Sequence, residues 1–443
     1  TGEAVFDGTL EPMFTLAMEG ARFITSPIRR EQALRIATQL QAGASRLDES
    51  LARLVAVREG ISVVVSGSIG RQGSGYVISV NAIDPATGKE IGSQRIEAQD
   101  KEKVLVTVGK LAAPIRKALG DATPESDQLA AAETYTSASL EAAHAYAQAQ
   151  ELQYAGKSEE AARGYLKAVA LDANLGRAYS GLATLSRNMG RPEDAEKYFK
   201  EALARIDRMS DRERYRTRGV YYMTIGNFQK AVEEYTALVK QYPADTAGHA
   251  NLAVSHGFLR NMGPAVEEAR LAVEINPKSL PQRYNLAEFM VYTGDFAAAG
   301  REARIVIDQN PSYPKPYLML ALSQLLQGES TKAAETYRRL EQVNVWGASC
   351  AASGLADLAL YEGRLGEGAA MLEKAAAADL GRKQPGFAAS KLVTLAEVQL
   401  LRAQKAAALA AADRALANSK EPNVKFGAAR IYLQAGQEAK ARS

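Results

Sequence analysis

Few side chains in this 443-residue chain are of types that do chemistry, and their spacing limits what each can do. His249 and His256 lie seven residues apart, two helical turns, so they share a helix face about 10 Å apart along the axis. No set of cysteines and carboxylates joins them, and three histidines in all leave little for a metal, so none is expected. Cys350 is the only cysteine. It cannot form an internal disulfide, has no His or Asn near it in sequence, and reads as a small buried apolar residue. Gly67, Gly70, Gly73 and Gly75 suggest a phosphate loop, but their spacing is not Gly-x-Gly-x-x-Gly and a strand pattern follows instead of a helix, so a hairpin turn is expected. The run Arg205–Arg218 interleaves six arginines with Asp207, Asp211 and Glu213. It reads as a solvated, salt-bridged loop and helix start, not as a phosphate or nucleic-acid patch. Asn251 and Asn285 stand 34 apart, each followed by Leu-Ala. A side-chain amide offers both a donor and an acceptor, and two in register would pair with a peptide backbone without reading its sequence.

These residues must be positioned by something larger than one ordinary core. The length suits two or three domains or a repeat array. Charged residues make up 24% and hydrophobic ones 47%, the balance of a globular protein. Lys plus Arg is 54 against 51 for Asp plus Glu, too even for a dedicated nucleic-acid binder. No run of about 18 apolar residues is present, so no membrane segment is expected. The chain begins at Thr1 without a basic-then-apolar leader, so a processed or excised piece of a longer protein is expected, with the compartment left open.

A period of about 34 residues dominates the rest. Ala161, Tyr165 and Ala168 recur as Ala195, Phe199 and Ala202, then as Ala231 and Tyr235 before Pro243. Further units carry Ala253, Ala265 and Pro277; Ala287, Gly294, Ala299 and Pro311; then Ala321, Gly328, Ala333 and Tyr337. The pattern fades through Gly363 and Leu372 to Ala429 and Gly436. Small residues let paired helices approach closely, glycine takes turn angles that other residues avoid, and proline stops the second helix. The tyrosines fall mostly at repeat-core places. A longer loop is expected at Ile206–Glu213, and bends around Val343–Cys350 and Gly381–Phe387.

This pattern resembles the tetratricopeptide repeat over roughly 138–443. The resemblance implies an α-solenoid of about eight helix-turn-helix units, ending on an incomplete one, whose helix A faces line a concave groove. In relatives that bind extended peptides, an Asn at the place of Asn251 and Asn285 faces that groove. Tyr284, Glu288, Arg216 and Val254 are then neighbouring peptide-binding candidates. Thr217 and Met319 occupy the flanking equivalents, which confines the amide ladder to two units.

Residues 1–122 read as a small α/β domain, and 123–137 as a linker. Helices are expected over Gly8–Gly20, from Ser26-Pro27 into Arg30–Gln41, over Asp48–Arg58 and over Lys101–Leu119. Strands are expected at Arg22–Thr25, Ile61–Ile69, Tyr76–Asp84 and Glu90–Ala98, with turns at Arg71–Gly75 and Pro85–Gly88. Together they suggest helices on one mixed sheet, which a strand before Thr1 would complete. Val65–Ile69, the turn and Tyr76–Gly88 resemble the TolB amino-terminal type of domain. That resemblance implies a place before the repeats in bacterial signalling proteins: serine/threonine kinases, adenylate cyclases or transcription regulators. The kinase motifs themselves are missing from this chain. The expected function is therefore a non-catalytic, cofactor-free protein-protein interaction or sensor region, most simply of a serine/threonine kinase, binding a protein or peptide in the groove. Small-ligand sensing by the α/β domain relayed through the repeats, and homodimerisation, are the competing readings.

Overall fold

The structure, a computed structural model, describes residues 2–25, 28, 30–135 and 139–442, and the side chains of all of these but 133–135. The helix start expected at Ser26-Pro27 lies outside the described residues. The chain divides into two compact units, Thr1–Asn276 and Pro277–Ser443.

The first unit opens with helices α1 (Leu10–Met18), α2 (Arg30–Leu40) and α3 (Glu49–Glu59), then strands β1 (Val64–Gln72), β2 (Gly75–Ile83) and β3 (Glu90–Ala98), then α4 (Val104–Ala118). Asp48 caps α3 by accepting from the Leu51 amide at 2.8 Å. The sheet order is β1-β2-β3, and both pairings are antiparallel. The mixed sheet expected from the sequence is therefore corrected: tight turns join the strands, and a tight hairpin connection makes an antiparallel pair. Alternation along β2 buries Tyr76, Ile78, Val80 and Ala82 against Val104, Val108, Leu111 and Ile115 of α4. The expected strand at Arg22–Thr25 is a turn instead, in which the Ile24 amide donates to the Ala21 carbonyl. Helix α5 (Glu125–Tyr135) occupies most of the stretch expected to be a linker and packs on α4.

Four helix pairs complete this unit: α6 (Leu140–Tyr154) with α7 (Ser158–Leu171), α8 (Gly176–Asn188) with α9 (Pro192–Leu203), α10 (Asp211–Thr224) with α11 (Phe228–Gln241), and α12 (Thr246–Phe258) with α13 (Met262–Ile275). The second unit holds α14 (Leu280–Thr293) with α15 (Phe296–Gln309), α16 (Lys315–Leu326) with α17 (Ser330–Glu341), and α18 (Val345–Tyr361) with α19 (Leu365–Gly381). It ends with α20 (Pro385–Leu401) and α21 (Lys405–Asn418), then α22 (Pro422–Gln434) and the short α23 (Glu438–Arg442). Among the described residues eight pairs are complete, and the ninth shows five residues of its second helix. Helices α11, α13 and α15 each end two residues before a proline, Pro243, Pro277 and Pro311, because a residue preceding proline is pushed out of the helical region.

The periodic small residues do close-packing work. Ala161, Ala195, Ala231 and Ala265 are fully buried. At Gly219 the backbone of α10 lies on the ring of Tyr235, and a Cβ there would sit 2.5 Å from the ring carbon bearing the hydroxyl. Tyr235 is itself fully buried and cannot swing away. Gly219→Val is expected to destabilise the first unit by about 1–3 kcal/mol through overpacking, measured as a drop in the urea midpoint of circular dichroism.

A second recurrent device clamps the loop that enters a unit. His249 Nε2 is 2.9 Å from the Pro243 carbonyl and Nδ1 is 2.6 Å from Glu268. Thirty-four residues on, Arg283 donates to the Pro277 carbonyl at 2.8 Å and to Glu302 at 2.5 Å. A further 34 on, Tyr317 donates to the Pro311 carbonyl at 3.0 Å. Both nitrogens of His249 face acceptors, so the imidazolium satisfies the site and the neutral ring satisfies only one of them. Burial alone would lower the His249 pKa, but Glu268 and the Pro243 carbonyl outweigh it and raise the pKa above its ordinary 6.5. A raised folded-state pKa means that this stabilisation is complete below about pH 6.5 and is lost as pH climbs through the raised value. Protection of the α12 amides against hydrogen exchange is expected to fall over that window. His249→Arg, which imitates Arg283, is expected to abolish the fall.

Candidate peptide and helix groove

The first helices of successive pairs present their polar faces around a cleft of about 200 Å³ in the first unit. Tyr146, Gln150 and Gln153 come from α6; Arg177, Ser180 and Thr184 from α8; Glu213, Arg216 and Thr217 from α10. Its walls are braced from within. Gln153 accepts from the Tyr165 hydroxyl at 2.6 Å, Ser180 and Thr217 hydroxyls are 3.2 Å apart, and Arg177 donates to Glu213 at 3.3 Å. Glu213 also closes a capping box with Ser210 at the start of α10. Such a surface offers donors and acceptors to a polypeptide and holds no nucleophile–base pair. Among the described residues, no group of three or more His, Cys, Asp or Glu could hold a metal ion.

Beside this cleft the sequence reading of Arg205–Arg218 needs correction. Arg212 is 1% exposed and is the largest fully buried side chain among the described residues. Its Nε donates to Asp245 at 2.7 Å, and its two terminal nitrogens donate to the carbonyls of Glu19 and Ile24, each at 3.0 Å. Arg216 also reaches Asp245, at 2.7 Å, and Glu19, at 3.2 Å. Asp245 is wholly buried and accepts from the Gly248 amide at 2.7 Å, capping α12. Burial would push its carboxyl up, but the two guanidiniums and that amide hold it below the usual carboxylate range. The run is solvated only in part: Arg208 is exposed, whereas Arg212 ties repeats and amino-terminal segment together.

The other candidates distribute as follows. Asn251 and Val254 are half-buried on α12 in the first unit, and Asn251 lies beside the buried Tyr235 hydroxyl. Asn285, Tyr284 and Glu288 are half-buried on α14 in the second unit. There Tyr284 packs on Tyr313 with centroids 5.8 Å apart, and the Lys315 ammonium stands 5.7 Å from the Tyr284 ring. Burial pushes the Glu288 carboxyl up, against the Tyr284 hydroxyl and Lys315, which favour the anion. Tyr179, Tyr222 and Tyr284 are half-buried, and Tyr222 packs against the core of its own helix pair. Cys350 is half-buried, and burial pushes its thiol pKa up, away from reactivity. Burial lowers the His256 pKa from its ordinary value.

Sequence reasoning missed Asp245, Glu19, Arg177 and Arg212. Arg212 and Arg216 are four apart and so share a helix face, and Asp245 stands three residues before Gly248 at a helix start; both signals were in the sequence. A buried cluster in the second unit was missed as well. Lys391 donates to Asp379 at 2.7 Å and to Ser349 at 2.6 Å, and Ser349 donates to Asp379 at 2.9 Å. All three are at most 4% exposed.

Two stretches of the chain match sequence profiles of the tetratricopeptide repeat, residues 286–348 and residues 176–206. Both lie in the array of paired helices. No curated protein sequence matches the chain. Similar solved structures include PilW, a widely conserved type IV pilus biogenesis factor, at 15% identity over 45% of this chain and 92% of that one, with a TM-score of 0.40. A tetratricopeptide repeat protein from Parabacteroides merdae is 14% identical over 67% of this chain and 98% of its own, with a TM-score of 0.39. YrrB, described as a repeat protein with an unusual peptide-binding site, is 18% identical over 39% of this chain and 88% of its own, with a TM-score of 0.29.

Proposed function

We propose that the chain is a non-catalytic protein-binding module that holds a polypeptide segment against the first helices of its repeats. The observation that carries this reading is the braced polar cleft formed by α6, α8 and α10, with Gln150 and Thr184 half-exposed at its surface. Donors and acceptors fixed on a rigid scaffold lose little entropy on binding, which favours recognition of a flexible partner. The half-buried amides of Asn251 and Asn285 are further candidates for main-chain contacts, as are Val254, Tyr284 and Glu288. The finer reading, a region of a larger signalling protein such as a serine/threonine kinase, rests on the sequence resemblance of the amino-terminal segment alone.

The test is selection of peptides from a random library on the full chain, with a photo-crosslinking residue placed at Thr184. Selected peptides are expected to crosslink there and to lose at least tenfold in affinity on Gln150→Trp, which fills the cleft. Peptides that bind Gln150→Trp unchanged would remove the cleft from the function.

A further inference from the structure

The sheet of the first unit has two edges, and they are built differently. Strand β3 carries Glu90, Arg95 and Glu97 and a register shift opposite Ala82–Ile83, devices that keep a sheet edge from pairing with another chain. Strand β1 has none of them along Val64–Gly70, which is uncharged and contains no proline. Among the described residues, no main-chain group outside β2 bonds to β1. Helix α4 lies on β2 and β3, and at the β1 edge Val65 is 40% exposed and Ile69 half-buried.

The hairpin fixes where the free peptide groups point. Its two-residue loop, Gly73-Ser74, has Gly73 at a φ of 60° and closes on the pair Gln72–Gly75. Such a loop closes on a hydrogen-bonded pair, and these pairs alternate along an antiparallel ladder. Ser66, Ser68 and Gly70 therefore direct their peptide groups to β2, and Val65, Gly67 and Ile69 turn theirs outward. The edge reads alike in both directions: Val65-Ser66-Gly67-Ser68-Ile69. An antiparallel copy with a two-fold axis at Gly67 sets Gly67 against the partner's Gly67, Val65 against the partner's Ile69 and Ser66 against the partner's Ser68. Every outward peptide group then meets another. Val65 and Ile69 stand in register with the buried Ala82 and Ile78 of β2, so two β-branched pairs form on the face that α4 covers. Arg71, the first charge on the strand, falls opposite the partner's Val63, so no like charges meet. Three hydrogen-bonded pairs make about six main-chain bonds, the number carried by about 600–1,200 Å² of interface. That is the lower end of specific interfaces, so a reversible dimer is expected.

We propose that β1 is a homodimerisation edge: two copies of the chain join through antiparallel β1 strands, with the two-fold axis at Gly67, into one six-stranded sheet. This goes beyond the groove reading, does not depend on it, and gives the chain an interface with itself. A Cβ at Gly67 would meet nothing nearer than the Ser79 carbonyl at 3.6 Å, so a side chain can be placed on the axis.

The experiment uses the full chain carrying Cys350→Ser, which removes its only native thiol. Gly67→Cys and Gly70→Cys are made in that chain and compared under mild oxidation. Both glycines are exposed, and a Cβ at Gly70 would meet open space. Residue 67 meets its own copy across the axis with Cα atoms about 5.5 Å apart, within disulfide range. Residue 70 faces the partner's Val64 and lies far from its own copy. Gly67→Cys is expected to crosslink at least tenfold faster than Gly70→Cys. Sedimentation of the Cys350→Ser chain is expected to show a mass that rises from one chain towards two with concentration. Val65→Lys puts a charge on the edge and is expected to hold the mass at one chain, with circular dichroism checking its fold. A mass that stays at one chain without Val65→Lys overturns the proposal. So does a folded Val65→Lys chain that dimerises like its parent, or Gly67→Cys that crosslinks no faster than Gly70→Cys. If Val65→Lys fails to fold, the crosslink rates and the parent mass decide.

Discussion

Asp245→Ala is expected to destabilise the first unit by about 3–5 kcal/mol, the range for breaking a buried ion pair by removing one partner. The carboxylate is the one anion shared by Arg212 and Arg216, and Arg212 has almost no access to water. Its removal leaves two guanidiniums close together, with Glu19 in contact with one of them and the other desolvated. It also removes the cap on the Gly248 amide, a loss of about 1 kcal/mol by itself. Asp245→Asn keeps an acceptor for the amide and is expected to recover the capping share alone. The pH dependence has a definite sign. The folded-state pKa of Asp245 is depressed, so its contribution is present above the unfolded carboxylate value near 4 and is lost as pH falls through the depressed one. Urea midpoints followed by circular dichroism at neutral pH check the magnitude. Variant and wild type differing by less than about 1 kcal/mol would show that the pair is screened.

In the second unit, Lys391→Met is expected to cost a similar amount, about 3–5 kcal/mol, because it strands the Asp379 carboxylate with the Ser349 hydroxyl as its one close partner. Arg382 stands farther off, at 3.8 Å. The double change Lys391→Met/Asp379→Leu removes both charges and is expected to return the unit to within about 1 kcal/mol of wild type or above it, since well-packed apolar residues commonly match a buried pair. The chain carries a convenient reporter: its single tryptophan, Trp346, lies on α18, the helix that contributes Ser349. Tryptophan emission therefore reads the second unit without the first. This matters in a repeat array, where units need not unfold together. A double variant no better than Lys391→Met would show that the cluster's hydrogen bonds, not its charge balance, hold the three helices.

How much of this was legible beforehand follows from the range of the interactions concerned. The repeat is local: Ala231, Tyr235 and Pro243 carry their roles in a 34-residue window, because each helix pair packs mainly on itself and its neighbours. The strand alternation of Tyr76–Asp84 is likewise a near-neighbour signal, and its edges came within one residue of the observed Gly75–Ile83. The short strand at Arg22–Thr25 failed because its apolar residues, Phe23 and Ile24, lacked a partner strand; the segment is held instead by Arg212, almost two hundred residues away. Arginine-rich runs usually face water, and here one arginine of six does the opposite. The four-residue spacing puts Arg212 and Arg216 on one helix face, but contacts remote in sequence are what bury Arg212.

The sequence alone thus determined most of the element types, the period and the small residues on which helices close. Those properties depend on backbone propensity and on contacts between neighbours in the chain. Only the tertiary structure decided which polar residues are buried, that Arg212 and Arg216 share Asp245, that Lys391 and Asp379 meet, and that Arg212 reaches back to the carbonyls of Glu19 and Ile24. Burial and ion pairing depend on distances between residues remote in sequence. A side chain's charge becomes costly or useful only once the fold has removed the water around it.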